Sequence, residues 1–310
     1  MVEITEVTYG QFGRCVRLCD GRNELLATLD FGPRIIRFCA LGSENIFFED
    51  VNDAINAEAN ADELAALYGA DAGVWHIRGG HRLWKSPERC PETYFPDNAP
   101  VSYEKTENGI KLIPPVQHGT NFQFSMEVTM PEENCVHIVH TIKNLSDMPV
   151  SLAPWSLSVL SPGGTEIFPV PTRKVHYVGT RHLVFWQYTK MNDPRVTWGD
   201  KYIRLRQDSE DTTNFKMGML SEHGWAAYFN HGDAFVKYFD TNEGLPHPDR
   251  DCNFETFTNR HMLEMESLGV LRELQPGAEV SHSECWSYYT DVALPANDEE
   301  TDAFAKKYVE

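Results

Sequence analysis

The sequence predicts an all-β protein, a large two-sheet sandwich with one concave face and one or two short peripheral helices. Short apolar or alternating runs, punctuated by Gly, Pro, Asn and Asp, recur from end to end. Aromatic residues reach 12%, which suits strands because flat rings pack well on a pleated surface. At least ten such runs cannot stay in one flat sheet, so the sheet must curl or split in two.

The runs follow in order: GRCVRLC, NELLATLD, RIIRFCAL, NIFFED, FQFSMEVTM, CVHIVHTIKN, YIRLRQD, WAAYFN, AFVKYFD, HMLEMESLG and SECWSYY. No linker, low-complexity segment or repeat interrupts them, so residues 1–310 read as one domain. Two segments read as helices. Residues 51–68 (VNDAINAEANADELAALY) are rich in Ala and Glu, with Asn52 or Asp53 as N-cap. Residues 297–309 form the second: Asn297 caps it, acids fill its first turn, and Lys306 and Lys307 its last.

A net charge of −19 disfavours nucleic acid and anionic membranes and favours a neutral small-molecule or oligosaccharide partner. The seven Cys are scattered and odd in number, so they read as reduced thiols in a cytoplasmic protein. The N-terminus lacks a signal-peptide pattern, and no run is long and apolar enough to span a membrane. There is no HExxH, no CxxC pair and no Asp-rich calcium loop, so neither metal nor other cofactor is expected. A monomer or homodimer fits this picture.

In Thr258–Gly269, strand alternation puts Met262, Glu264 and Glu266 on one face and Leu263 and Met265 on the other. A carboxylate in a partly apolar cleft is suited to proton transfer near neutral pH. On spacing alone, a solvated strand face carrying two ordinary acids is the favoured reading. Glu255 and Asn259 precede this strand and are placed to line the same cleft. In Gly79-Gly-His-Arg-Leu-Trp84, the two Gly would allow a close backbone approach to a ligand. His81 and Arg82 offer hydrogen bonds to hydroxyls, a ring oxygen or a carboxylate; the alternative is a tight turn with a structural His.

The Leu-Glu-x-Glu strand, followed by Leu274-Gln-Pro-Gly277 and the aromatic run ending at Tyr289, resembles the end of the aldose 1-epimerase (galactose mutarotase) family. Asn23–Phe38 with Asn45–Phe47 resembles its opening, and Ile142–Leu152 its mid-chain Asn-x-Ser-x-x-Pro hairpin. Gly79–Glu88, Lys216-Met-Gly218 and Gly224-Trp-Ala-Ala-Tyr228 resemble a bacterial branch of the same superfamily. The resemblance implies a galactose mutarotase-like β-supersandwich that acts on a sugar, with Glu264 as catalytic base and Glu266 a polar neighbour. It also implies His81 and Arg82 as counterparts of a sugar-binding loop, in a different local order.

Trp155 stands where that family carries its proton-donating His, so the acid must come from elsewhere: His81, His118 or His176. Trp155 itself would stack on a sugar face, and Lys216 and Asn259 would help to bind. Alternatives are a non-catalytic sugar-binding or sensing protein, and an enzyme related to polysaccharide lyases or glycoside hydrolases.

Overall fold

The computed structural model describes residues 2–174 and 177–310. Ten of the eleven runs form strands, and among the described residues twenty-one strands are distributed over an 11-stranded and a 10-stranded sheet. NIFFED does not form one; it contributes only isolated bridges, Phe47 to Leu160 and Glu49 to Gly79. Along the middle of the larger sheet run Gly80–Ser86, Val150–Leu160, Leu263–Leu268, Phe254–Thr258 and Phe215–Met219, in that order. These neighbours pair antiparallel. The middle of the smaller sheet runs Trp225–Asn230, Asp233–Phe239, Glu279–Tyr289 and Cys135–Asn144.

Alternation along each strand determines what it buries. Leu263 and Met265 face a shared core with Phe215, Met217, Phe235 and Trp286. The opposite residues of the same sheet, Trp84, Trp155, Leu157 and Leu268, build a second cluster with Trp75, Met262 and Tyr68. That second cluster covers the face that carries the cleft.

Three expectations change. The helix expected over 51–68 is α-helical only at Ala61–Tyr68, after a 3-10 turn at Glu58–Asn60. Asp50 accepts from the backbone N–H of Ala54 and Ile55, and Asp53 takes φ +50°, so this stretch folds as a turn. Ile142–Leu152 is not a hairpin: Cys135–Asn144 and Val150–Leu160 lie in different sheets. Asn144 holds that crossover, donating to the carbonyls of Met148 and Leu274. Gly79 and Gly80, at φ +99° and +66°, approach the chain itself rather than a ligand. A Cβ there would lie 2.0 Å from the Phe48 carbonyl oxygen and 2.3 Å from that of Ile35.

The C-terminal helix spans Asp298–Tyr308, with the Asn297 side chain accepting from Glu300 N–H. It packs Phe304 and Ala305 against Phe229 and Trp225 of the smaller sheet. Among the described residues, no helix is long and apolar enough to cross a membrane.

Candidate functional site

Strand register on the outer face of the larger sheet aligns the polar residues. Leu157 stands between Arg82 on one side and Glu266 on the other, and Glu266 is opposite Glu255. One row along, Glu264 is opposite Phe257, which in turn is opposite Lys216. Gly218 faces Glu255, and a Cβ there would lie 3.1 Å from Glu255 Cγ, so the glycine leaves room for that carboxyl.

Of these, Arg82, Leu157, Glu264, Phe257, Lys216 and Glu255 line a cleft of two adjoining chambers that share Glu88, Trp155 and Lys216, with Glu266 behind its wall, on Lys216. The first, of about 210 Å3, is walled by Trp75, Trp84, Tyr94, Tyr188 and Phe257 and holds Arg82, Asn259 and Glu264. The second, of about 300 Å3, adds Trp186, Asp249 and Glu255. Aromatic walls with a few convergent polar groups suit a ring with an apolar C–H face and a hydroxylated rim.

In the first chamber, Arg82 Nη2 lies 3.0 Å from Glu264 Oε1, close enough for an ion pair but without hydrogen-bond alignment. The guanidinium stacks 4.2 Å from the Trp84 ring centre. Arg82 is 2% exposed, and its Nε and Nη1 have no hydrogen-bond partner among the described residues. Donors left open in a buried group cost free energy unless something accepts from them.

In the second chamber, Lys216 Nζ lies 2.8 Å from Glu255 and 3.0 Å from Glu266. Burial is the largest influence on both carboxyls and pushes them above the usual range, more than Lys216 pulls them back. Burial also works against the Lys216 charge, but the two acids more than offset it and hold the ammonium well above its ordinary value. Glu266 receives Lys216 on both oxygens and the Trp155 indole N–H at 2.8 Å, whereas Glu255 has only the Lys216 contact. Glu266 is therefore the better-supported carboxylate of the two.

The structure thus brings together Glu264, Arg82, Trp155, Glu266, Lys216 and Asn259. The Asn259 oxygen is partly committed, accepting from the backbone N–H of His261 and Met262.

His81, expected to act as the acid, is a correction. It alternates with Arg82, so it points to the interior between the sheets and is fully buried. Its ring nitrogens contact Ser158 Oγ at 2.9 Å and His140 Nε2 at 2.7 Å, with no route to the cleft. His118 is exposed on a loop of the other sheet and lines neither chamber. His176 lies outside the described residues.

His81 and His140 belong to a buried polar cluster around Glu284. Burial would raise the Glu284 carboxyl, but Lys237 at 2.7 Å and the surrounding histidines hold it well below the carboxylate range. With the Lys237 ammonium on that carboxylate, the trio of His81, His140 and Glu284 already has its cation and is a poor metal cage. Trp75, Tyr94, Trp186 and Tyr188 went unread as site residues because each comes from a loop. Trp84 and Glu88 carried a usable signal, being in the Gly79–Glu88 segment.

No protein-family model matches the sequence, and no curated protein matches it. Solved structures do. A provisionally assigned aldose 1-epimerase from Klebsiella pneumoniae superposes with a TM-score of 0.61 at 14% identity, over 99% of this chain and 86% of that one. A galactose mutarotase-like protein from Lactobacillus casei gives 0.55 at 8% identity, over 89% and 100%. A TPR-domain-containing protein from Parabacteroides distasonis gives 0.60 at 14% identity, over 91% of this chain and 48% of that one. This chain therefore spans about half the length of that last protein.

Proposed function

From a chain with the galactose mutarotase-like fold, we propose that the two-chambered cleft takes up a neutral sugar and interconverts its anomers by acid/base ring opening. The observation that carries this reading is the set of carboxyls on one sheet face, with Glu264 and Glu255 in adjoining chambers and in different settings. Glu264 takes the proton of the anomeric hydroxyl. The bond from the anomeric carbon to the ring oxygen breaks, and the Glu255 carboxyl delivers its proton to that oxygen. Rotation about the bond from the anomeric carbon to its neighbour and reclosure return both protons. The Trp84 and Trp155 rings cover the C–H face of the sugar, and Arg82 holds Glu264 in place against it.

Polarimetry with a panel of aldoses tests this on the wild type, Glu264→Gln and Glu255→Gln. Each well-placed proton-transfer group contributes ~10²–10⁴-fold, so each variant should lose that much exchange while saturation-transfer NMR still detects sugar binding. Exchange at the wild-type rate in both variants sinks the mechanism. A second reading, sugar binding without turnover, is supported by Trp155, whose N–H is committed to Glu266 at the position where the resemblance implies a proton-donating His. Binding with no acceleration of exchange in the wild type would select it. Neither binding nor exchange with any neutral sugar would point instead to the lyase- or hydrolase-related alternative.

A further inference from the structure

Three soft ligand atoms converge on the smaller sheet, on the face turned away from the shared core and remote from the cleft. Cys135 and His137 are two residues apart on Cys135–Asn144, so they share that face. Cys285 stands directly opposite His137 in the antiparallel register. The intervening Val136 and the neighbouring Trp286 point inward to the core, which fixes the outward direction of all three.

The two thiol sulfurs are 3.2 Å apart, although 150 residues separate them in sequence. One ligand atom from each of the three residues lies within 4.8 Å of the others. A tetrahedral zinc ion, with bonds of about 2.0–2.3 Å to nitrogen and sulfur, spaces its ligands by roughly 3.5 Å. Closing the shell therefore requires the sulfurs to part slightly from 3.2 Å and the imidazole to approach from within 4.8 Å, by roughly an ångström at most. Both strands lie within a ten-stranded sheet, paired on each side, which fixes the backbone from which the ligands extend.

The chemistry is selective as well. Two thiols and one imidazole favour a thiophilic ion over magnesium or calcium, which require oxygen ligands. The cysteines are half-buried and His137 is exposed, so the site has solvent access and a fourth position free for water. The chain's net charge of −19 raises the local concentration of any cation. Unlike the Glu284 cluster, no lysine or arginine is paired with these three residues among the described residues.

We propose that Cys135, His137 and Cys285 form a surface site for a thiophilic transition-metal ion, zinc(II) by its ligand set. The site stands independently of the cleft and its chemistry.

The test is titration of the full chain, reduced by a non-thiol reductant and freed of metal, with cobalt(II) followed by zinc(II). One equivalent of cobalt should produce thiolate-to-metal charge-transfer absorption, which zinc then abolishes by displacement. Cys135→Ser and Cys285→Ser should each weaken or remove that absorption and weaken zinc binding by at least about tenfold. His137→Ala should bind more weakly while keeping thiolate absorption. Cys90→Ser, which alters an exposed thiol that is not one of the three, should match the wild type. Circular dichroism of each variant separates loss of a ligand from loss of the fold. No charge-transfer absorption in the reduced wild type, absorption and zinc affinity undiminished in both serine variants, or a Cys135–Cys285 disulfide with no metal uptake would each overturn the proposal.

Discussion

The Trp155 indole N–H donates to Glu266 Oε2 at 2.8 Å between adjacent strands of the larger sheet. Trp155 is opposite Leu268 and Glu266 is opposite Leu157, so the contact runs diagonally and turns the indole along the sheet. Lys216 Nζ then sits 4.7 Å from the Trp155 ring centre and the same distance from that of Trp186. One ring therefore supports a carboxyl, a cation and the common wall of both chambers.

Trp155→Phe keeps an aromatic surface but removes the donor to a buried carboxyl. The expected cost is ~1–3 kcal/mol, the penalty for a buried acceptor that loses a partner. Urea denaturation at pH 7 checks it. A value near zero would mean that water enters and replaces the indole.

Arg82→Met removes the guanidinium that contacts Glu264 and stacks on Trp84. With Glu264 no longer held, exchange should fall about 10²-fold in kcat, the usual consequence of a small displacement of a reacting group. Arg82→Lys should recover little, because an ammonium lacks both the planar fork and the stacking surface. Full activity in the lysine variant would show that charge alone suffices.

Lys216→Met leaves Glu255 and Glu266 buried without their cation, at an expected cost of ~3–5 kcal/mol. Both carboxyls already titrate above their ordinary range, chiefly through burial, and the substitution raises them further. A carboxyl with a raised folded-state pKa takes up a proton on folding. The stability it allows is present below its unfolded value and is lost as pH rises toward its folded value. The deficit of this variant should therefore grow with pH, and adding Glu255→Gln and Glu266→Gln should recover most of it. Calorimetry at pH 5, 7 and 9 on these variants reads both effects.

Burial pushes two interior histidines down, His140 to about 4 and His282 to about 3, from an ordinary value of 6.5. Below pH 6.5 the unfolded chain binds protons that the folded chain excludes. Stability is thus retained above that value and declines as pH falls toward 4. His282→Gln should reduce the slope of stability against pH in this window by up to about 1.4 kcal/mol per pH unit, one proton's worth. An unchanged slope would show that another group carries the titration.

Much of this molecule is set by local rules. Period-two patterning identifies ten strands, and in Leu263–Leu268 it separates Glu264 and Glu266 from Leu263 and Met265 without knowledge of the fold. The C-terminal helix announces itself through Asn297 and the charges behind it. Such features are legible because the interactions that make them span only a few residues.

Which face of a strand meets the cleft is a different question, and pattern alone answers it poorly when both faces are buried. Every residue of Gly80–Ser86 is buried, so nothing in the segment itself says that Arg82 faces the cleft while His81 faces Glu284. Sheet packing decided that, through the positions of Trp84 on one side and His140 on the other. Tertiary structure likewise brought Tyr94 and Tyr188 to the cleft and set Cys285 beside Cys135. Those neighbours are made by strand pairing and sheet stacking across long stretches of chain, and no short-range preference encodes them.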